Sequence, residues 1–212
     1  FSNTSAFDER EHASIVAKAA GADFNPVDFS EDDFWDLLPR IAAAMDDPTA
    51  DYAILPTYKL GEACRRSGLK VILSGEGGDE LFAGYGRYRR LMRPWFLGRR
   101  NMRSKGVFDS LGILRGTYFE QKSMLNDVWV RESFPHRTKL QIAQAVDCAD
   151  WLPNDLLTKL DRCLMAHGVE GRTPFLDPKI ADIAMRLPDN LKIKNRIGKY
   201  LLRLWLHRKM PE

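Results

Sequence analysis

Apolar residues recur at helical spacing through most of this chain and form short unbroken runs at only a few points. Phe1 to Asn3 reads as the end of a strand, and Asp8 with Glu11 as a capping box for a helix through Ile15, Val16, Ala19 and Ala20 that stops at Gly21. Phe24 to Phe29 is expected to be a second strand, at an edge or irregular because Pro26 has no amide hydrogen. Ser30 then caps a helix bearing Phe34, Leu37, Leu38, Ile41 and Met45, with Pro39 kinking it or opening its second part. After a loop at 46–51, a helix through Leu60 and Cys64 ends at Gly68. Val71, Ile72 and Leu73 show no polar alternation, as expected of a parallel strand covered on both faces. Helices of this length between strands imply parallel pairing with right-handed crossovers. Past Glu80 the pattern stays helical, with helices expected near 153–167, 178–186 and 197–209 and the weakest pattern at 105–116. The prediction is a doubly wound α/β half over residues 1–86 and a mainly helical half over 87–212.

Chemistry enters where the strand at 71–73 breaks into Ser74-Gly-Glu-Gly-Gly-Asp-Glu80. Gly75, Gly77 and Gly78 let the backbone turn sharply and approach a ligand closely. Glu76, Asp79 and Glu80 set three carboxylates at the carboxyl end of a strand, where open α/β sheets bind their ligands. Alone, such a loop is equally an ordinary connection with solvated acids.

Two later segments change that balance: Leu160-Asp-Arg-Cys-Leu-Met-Ala-His-Gly-Val-Glu-Gly-Arg-Thr-Pro-Phe-Leu-Asp177 and Lys199-Tyr-Leu-Leu-Arg203. With the acidic turn, in this order, they resemble the synthetase domain of glutamine-dependent asparagine synthetases, and the resemblance covers nearly the whole chain. It implies an adenine-nucleotide alpha-hydrolase-like (ATP-pyrophosphatase) fold, a three-layer parallel sheet followed by a mainly helical half. It also implies ATP and Mg2+ as cofactors, adenylation of the aspartate side chain with loss of pyrophosphate, and displacement of AMP by ammonia from an amino-terminal glutaminase domain. Family members that adenylate other carboxylates leave the acceptor open between aspartate and another carboxylate. A non-catalytic nucleotide-binding or assembly protein is the remaining alternative.

Carried over position by position, the resemblance places the AMP part of ATP at Ser74 and Gly75, with Asn3 near the adenine side. Asp79 is the first candidate for a magnesium ligand, because a hard cation prefers carboxylate oxygen; Glu80 supports it or caps the following helix. Glu76 is assigned to hold ammonia and take its proton, with scaffolding as its alternative. Lys199 meets the phosphates as charge develops on the leaving pyrophosphate. Asp161 and Arg172 are substrate-side candidates, against the alternative that Asp161, Arg162, Glu170 and Arg172 form an ion-pair network fixing their helix. The family's Ser-Gly-Gly-x-Asp-Ser pyrophosphate loop is expected upstream of Phe1 and no such string occurs here. The chain therefore reads as a piece of a longer protein that by itself binds ATP weakly at most and does not turn over. Its incomplete sheet leaves an edge on which a homodimer is conceivable.

Composition removes other classes. With 212 residues, 44% hydrophobic and 29% charged, the chain suits a globular protein large enough to bury a core. A net charge of +3 gives no global case for nucleic acid. Arg87, Arg89, Arg90, Arg93, Arg99, Arg100, Arg103 and Lys105, interleaved with Tyr88, Trp95 and Phe96, read as a solvated helical connection whose Arg stems pack on the aromatics, and a nucleic-acid role is the minor alternative. Cys64, Cys148 and Cys163 lack CxxC spacing and fit reduced cysteines of a cytoplasmic protein. Neither the four histidines nor the apolar runs suggest a metal centre or a membrane span.

Overall fold

The computed structural model describes residues 10–46, 51–98 and 119–210. Phe1 to Asn3, Asp8, the stretch at 105–116 and the arginines at 99, 100 and 103 lie outside the described residues. The chain forms two compact units, one of Phe1–Ser74, Thr158–Arg172 and Leu204–Glu212, the other of Gly75–Leu157 and Thr173–Arg203.

In the first unit, α1 (Arg10–Ala19) ends as expected before Gly21, whose φ of 64° suits glycine. The expected strand at 24–29 has no regular structure, because Pro26 lacks a donor and no neighbouring backbone among the described residues pairs with it. Ser30 caps α2 (Glu31–Ala44) through a full capping box with Asp33, and the helix continues through Pro39. Leu37 and Ile41 on α2 pack against Ile54, Leu55 and Tyr58 of α3 (Ile54–Arg66), with Phe29 and Cys163 completing the cluster. Lys159, almost fully buried, donates to Asp51 Oδ2 at 2.6 Å, so the charge enters the interior already paired.

β1 (Val71–Leu73) runs parallel to β2 (Glu170–Arg172), in the register Val71 to Glu170, Ile72 to Gly171 and Leu73 to Arg172. Glu-Gly-Arg carries no strand pattern, and this element was not anticipated. Ile72 packs on Leu160, Leu164 and Val169, with α8 (Thr158–Met165) supplying the two leucines. The opposite face of β1 differs from expectation: Leu73 is 72% exposed, so among the described residues only one face of the strand is covered.

In the second unit, α4 (Gly78–Leu81) and α5 (Gly86–Leu91) follow the acidic turn, and α6 (Phe119–Glu132) and α7 (Lys139–Ala149) follow these in the chain. The expected helix at 153–167 is present, but it opens as a π-helix over Leu152–Leu157 before becoming α8. The remaining helices are α9 (Pro178–Arg186), at the anticipated positions, α10 (Asp189–Lys192) and α11 (Tyr200–His207). α11 starts three residues later than the apolar spacing suggested, because Asn195 and Arg196 both have positive φ in a tight turn bridged by Lys194 and Ile197. Leu81, Phe82 and Ala184 form one buried cluster, and Ala83, Tyr88, Leu91, Leu140 and Ala143 another.

Asp33 gives the first unit a readable acid response. Hydrogen bonds from Lys59 and from the backbone and hydroxyl of Ser30 hold its carboxyl down to about 2. A carboxyl depressed in the folded state stabilises fully above its unfolded value, near 4, and loses that contribution as pH falls toward 2. Urea denaturation should therefore find the native chain more stable than Asp33→Asn at about pH 6, with the two converging toward about pH 2. A gap that stays constant across that window would contradict this account.

Candidate functional site

Ser74 prolongs the β1 ladder by one bond, its amide donating to the Arg172 carbonyl at 2.7 Å. Beyond it the chain enters the second unit. The Gly78 amide closes a turn on the Gly75 carbonyl at 3.2 Å, and Gly77 sits at φ 86°. Only glycine fits there, since a β-carbon would lie 2.2 Å from Leu176 Cδ2. At Gly75 the same construction meets nothing within 4 Å, so this point of the loop faces open space. Glu76, half-buried, stands between the two glycines.

The turn delivers Asp79 on the first turn of α4, and there it meets Lys199. Nζ of Lys199 donates to Asp79 Oδ2 at 2.9 Å across a separation of 120 residues, and each side chain is about one third exposed. Two close backbone approaches make the encounter possible. The Lys199 amide donates to the Phe82 carbonyl at 3.0 Å, and a β-carbon on Gly198 would lie 2.4 Å from the Ala83 carbonyl oxygen. A β-carbon on Gly84 would fall 1.7 Å from Asp79 Oδ1 and 2.4 Å from Lys199 Cε, so this glycine is the floor under the pair. Lys199 itself takes a left-handed φ of 52°, an uncommon state for a non-glycine residue and one that functional sites retain.

Glu80, the next residue, is buried and accepts from the Tyr85 hydroxyl at 2.7 Å. Burial raises its carboxyl above the usual range, against the effect of that bond. Behind it lies a polar network that the sequence reading did not anticipate. Gln144 Nε2 donates to the carbonyls of Glu80 at 2.6 Å and Leu81 at 2.8 Å, and its Oε1 accepts from Lys192 Nζ at 2.7 Å. Asp147 accepts from the Tyr88 hydroxyl at 2.5 Å and from Arg87 Nε at 2.9 Å. Leu140, Gln144 and Asp147 fall at i, i+4 and i+7, so the two polar residues continue an apolar helix face, which was the available signal.

Two other candidates belong to the first unit. Asp161 is exposed on α8, and Arg172, also exposed, pairs with Glu170 at 2.9 Å; no ion pair joins the two among the described residues. Arg162 pairs with Asp46 instead. Asn3 lies outside the described residues.

Among the described residues no group of three or more His, Cys, Asp or Glu side chains is placed to hold a metal. Asp79 offers a single hard carboxylate beside a lysine, a donor set that suits Mg2+ when phosphate oxygens and water complete its shell. No helix among the described residues is long and apolar enough to cross a membrane.

The asparagine synthase family model matches residues 1–212. The chain belongs to the asparagine synthase family. It is 31% identical to a putative glutamine-hydrolyzing asparagine synthetase of Mycobacterium tuberculosis over 97% of this chain and 37% of that protein. It is 31% identical to asparagine synthetase (glutamine-hydrolyzing) 1 of Bacillus subtilis over 97% of this chain and 38% of that protein, and 25% identical to asparagine synthetase B (glutamine-hydrolyzing) of Escherichia coli over 90% and 27%. The chain thus spans less than two fifths of the length of these ligases.

Lys192 makes the network behind this family motif titratable. Burial pushes its ammonium down to about 8 from an ordinary 10.5, partly offset by Asp189 and Cys148. Between those values the unfolded chain binds more protons than the folded one, so stability rises with pH through the window. Against Lys192→Met, the native chain should gain up to roughly 3 kcal/mol from pH 8 to pH 10.5, levelling off above. Chemical denaturation of both proteins across that range checks this, and a flat difference would refute it.

Proposed function

We propose that the protein to which this chain belongs converts aspartate to asparagine at the expense of ATP, with ammonia released from glutamine. The reading rests on one observation: in a member of the asparagine synthase family, the acidic turn and the distant lysine motif meet as the Asp79–Lys199 ion pair. In this reading β1 and β2 belong to a three-layer parallel sheet of the ATP-pyrophosphatase type, with a ligand at the carboxyl ends of its strands. The names of the relatives, all glutamine-hydrolyzing asparagine synthetases, support the acceptor and the nitrogen source.

An oxygen of the substrate β-carboxylate attacks the α-phosphorus of ATP; the bond to the bridging oxygen breaks and pyrophosphate leaves with its electron pair. Lys199 is assigned to the departing phosphates, where a fixed ammonium stabilises charge that grows in the transition state. Asp79 would hold Mg2+, which neutralises phosphate charge when bound. The ion pair keeps each group where its ligand arrives: the carboxylate turns to the cation and the ammonium to phosphate oxygen. Ammonia then adds to the acyl carbon and AMP leaves, while Glu76 accepts the proton lost from nitrogen. Ser74 and Gly75 are assigned to the AMP moiety, the open space at Gly75 admitting close approach. Glu80 fixes Tyr85 from beneath the metal-binding turn, and Asp161 and Arg172 are retained as contacts for the acceptor.

In the full-length protein, Asp79→Asn should lower magnesium-dependent adenylation by about two orders of magnitude, as loss of a preorganised electrostatic contact does. Lys199→Ala should depress positional isotope exchange within ATP together with product formation. Glu76→Gln should preserve exchange better than amide formation. Matching profiles for the Lys199 and Glu76 variants would overturn the division of roles.

A further inference from the structure

The second unit holds a cleft of about 790 Å³ that the proposed reaction does not use. Arg89 and Arg90 of α5, Arg93 just beyond it, and Arg196 of the 194–197 turn line it, and among the described residues no aspartate or glutamate does. Several arginines outside the cleft are matched with acids: Arg40 with Glu62, Arg87 with Asp147, Arg137 with Glu132, Arg186 with Asp182. The four arginines of the cleft have no such partner among the described residues. Among the described residues their one side-chain hydrogen bond, from Arg89 Nη1 to the Arg196 carbonyl at 3.1 Å, ties two walls together and neutralises nothing.

Like charges carried by four arginines around one concavity repel each other. Structures retain such clusters where an anion relieves them, and the planar fork of arginine fits phosphate and carboxylate oxygens two at a time. The wall is also costly to shape, since Arg196 stands at φ 64°, a left-handed state that long side chains seldom adopt. Met92, Leu97 and Ile193 complete the lining with apolar surface, so the cleft offers a charged wall and an apolar one.

We propose that this cleft binds a small polyanion with at least two phosphate or carboxylate groups, its less polar part resting on Met92, Leu97 and Ile193. The proposal is independent of what the parent protein amidates, because neither Asp79 nor Lys199 lines the cleft.

Isothermal titration of the chain at low salt, with tripolyphosphate in one arm and tricarballylate in the other, tests it; the arms separate phosphate from carboxylate preference. At least one probe should saturate at one equivalent and weaken as salt is raised. Arg90→Glu with Arg93→Glu should weaken it by tenfold or more, Arg90→Lys with Arg93→Lys by less, since charge survives without the fork. The same binding should persist in Lys199→Ala, which separates the cleft from phosphate binding at the proposed catalytic pair. Binding lost in Lys199→Ala and untouched by the arginine variants would overturn the proposal. So would failure of both probes to saturate, or displacement of the probe by a 20-residue single-stranded RNA that binds more tightly, which would make the surface a nucleic-acid face. Arg90 is exposed and Arg93 half-buried, and the lysine variants keep the test decisive if charge reversal lowers the melting temperature.

Discussion

The second unit depends on a bond that no single segment can make for itself: the Gln144 side-chain amide held against the carbonyls of Glu80 and Leu81. α4 is only four residues long, too short to be stable alone, and its last carbonyls have no partner within the helix. Gln144 supplies the missing donor, and Lys192 fixes Gln144 by donating to its oxygen. The short helix is thereby rigid although local propensity gives it little, and its rigidity sets where Asp79 stands.

That arrangement carries a cost in buried charge. Lys192 is fully enclosed, and Glu80 and Asp147 are nearly so. Each is paired: Glu80 with Tyr85, Asp147 with Tyr88 and Arg87, Lys192 with Gln144. Arg87 also lies 3.9 Å over the Tyr85 ring, so one residue of the basic run belongs to the interior while its neighbours line a cleft. Such a network tolerates little change, because removing one member leaves the others buried without partners. The contrast between Asp79 and Glu80 follows directly. Adjacent carboxylates face opposite ways on a helical turn, one toward Lys199 and partial exposure, the other toward Tyr85 and the interior.

The glycines of the motif divide the work by physical need. Gly77 supplies a backbone angle, and Gly84 and Gly198 supply absence of bulk where two segments touch. With these in place, a carboxylate and an ammonium from distant parts of the chain stand 2.9 Å apart in a partly open setting. Positioning and charge supply most of the catalysis of phosphoryl and nucleotidyl transfer, and in the proposed function this pair contributes both.

Sequence by itself determined the features whose causes are local. The Ser30 cap, the stops near Gly21 and Gly68, α9, and the three motif segments with their family all follow from residues a few positions apart, where backbone propensity and capping act. Tertiary structure decided whatever needed a distant partner. Residues 24–29 find no pairing backbone among the described residues and form no strand there, while Glu170–Arg172, with no strand character, became one beside β1. The start of α11 moved to Tyr200 because the preceding turn holds Lys199 where Asp79 can reach it. Gln144 and Asp147 continue the apolar face of α7, but helical periodicity cannot declare such polar groups buried. A polar side chain enters a core only when a hydrogen-bonding partner arrives from elsewhere, and that arrival is a property of the folded chain.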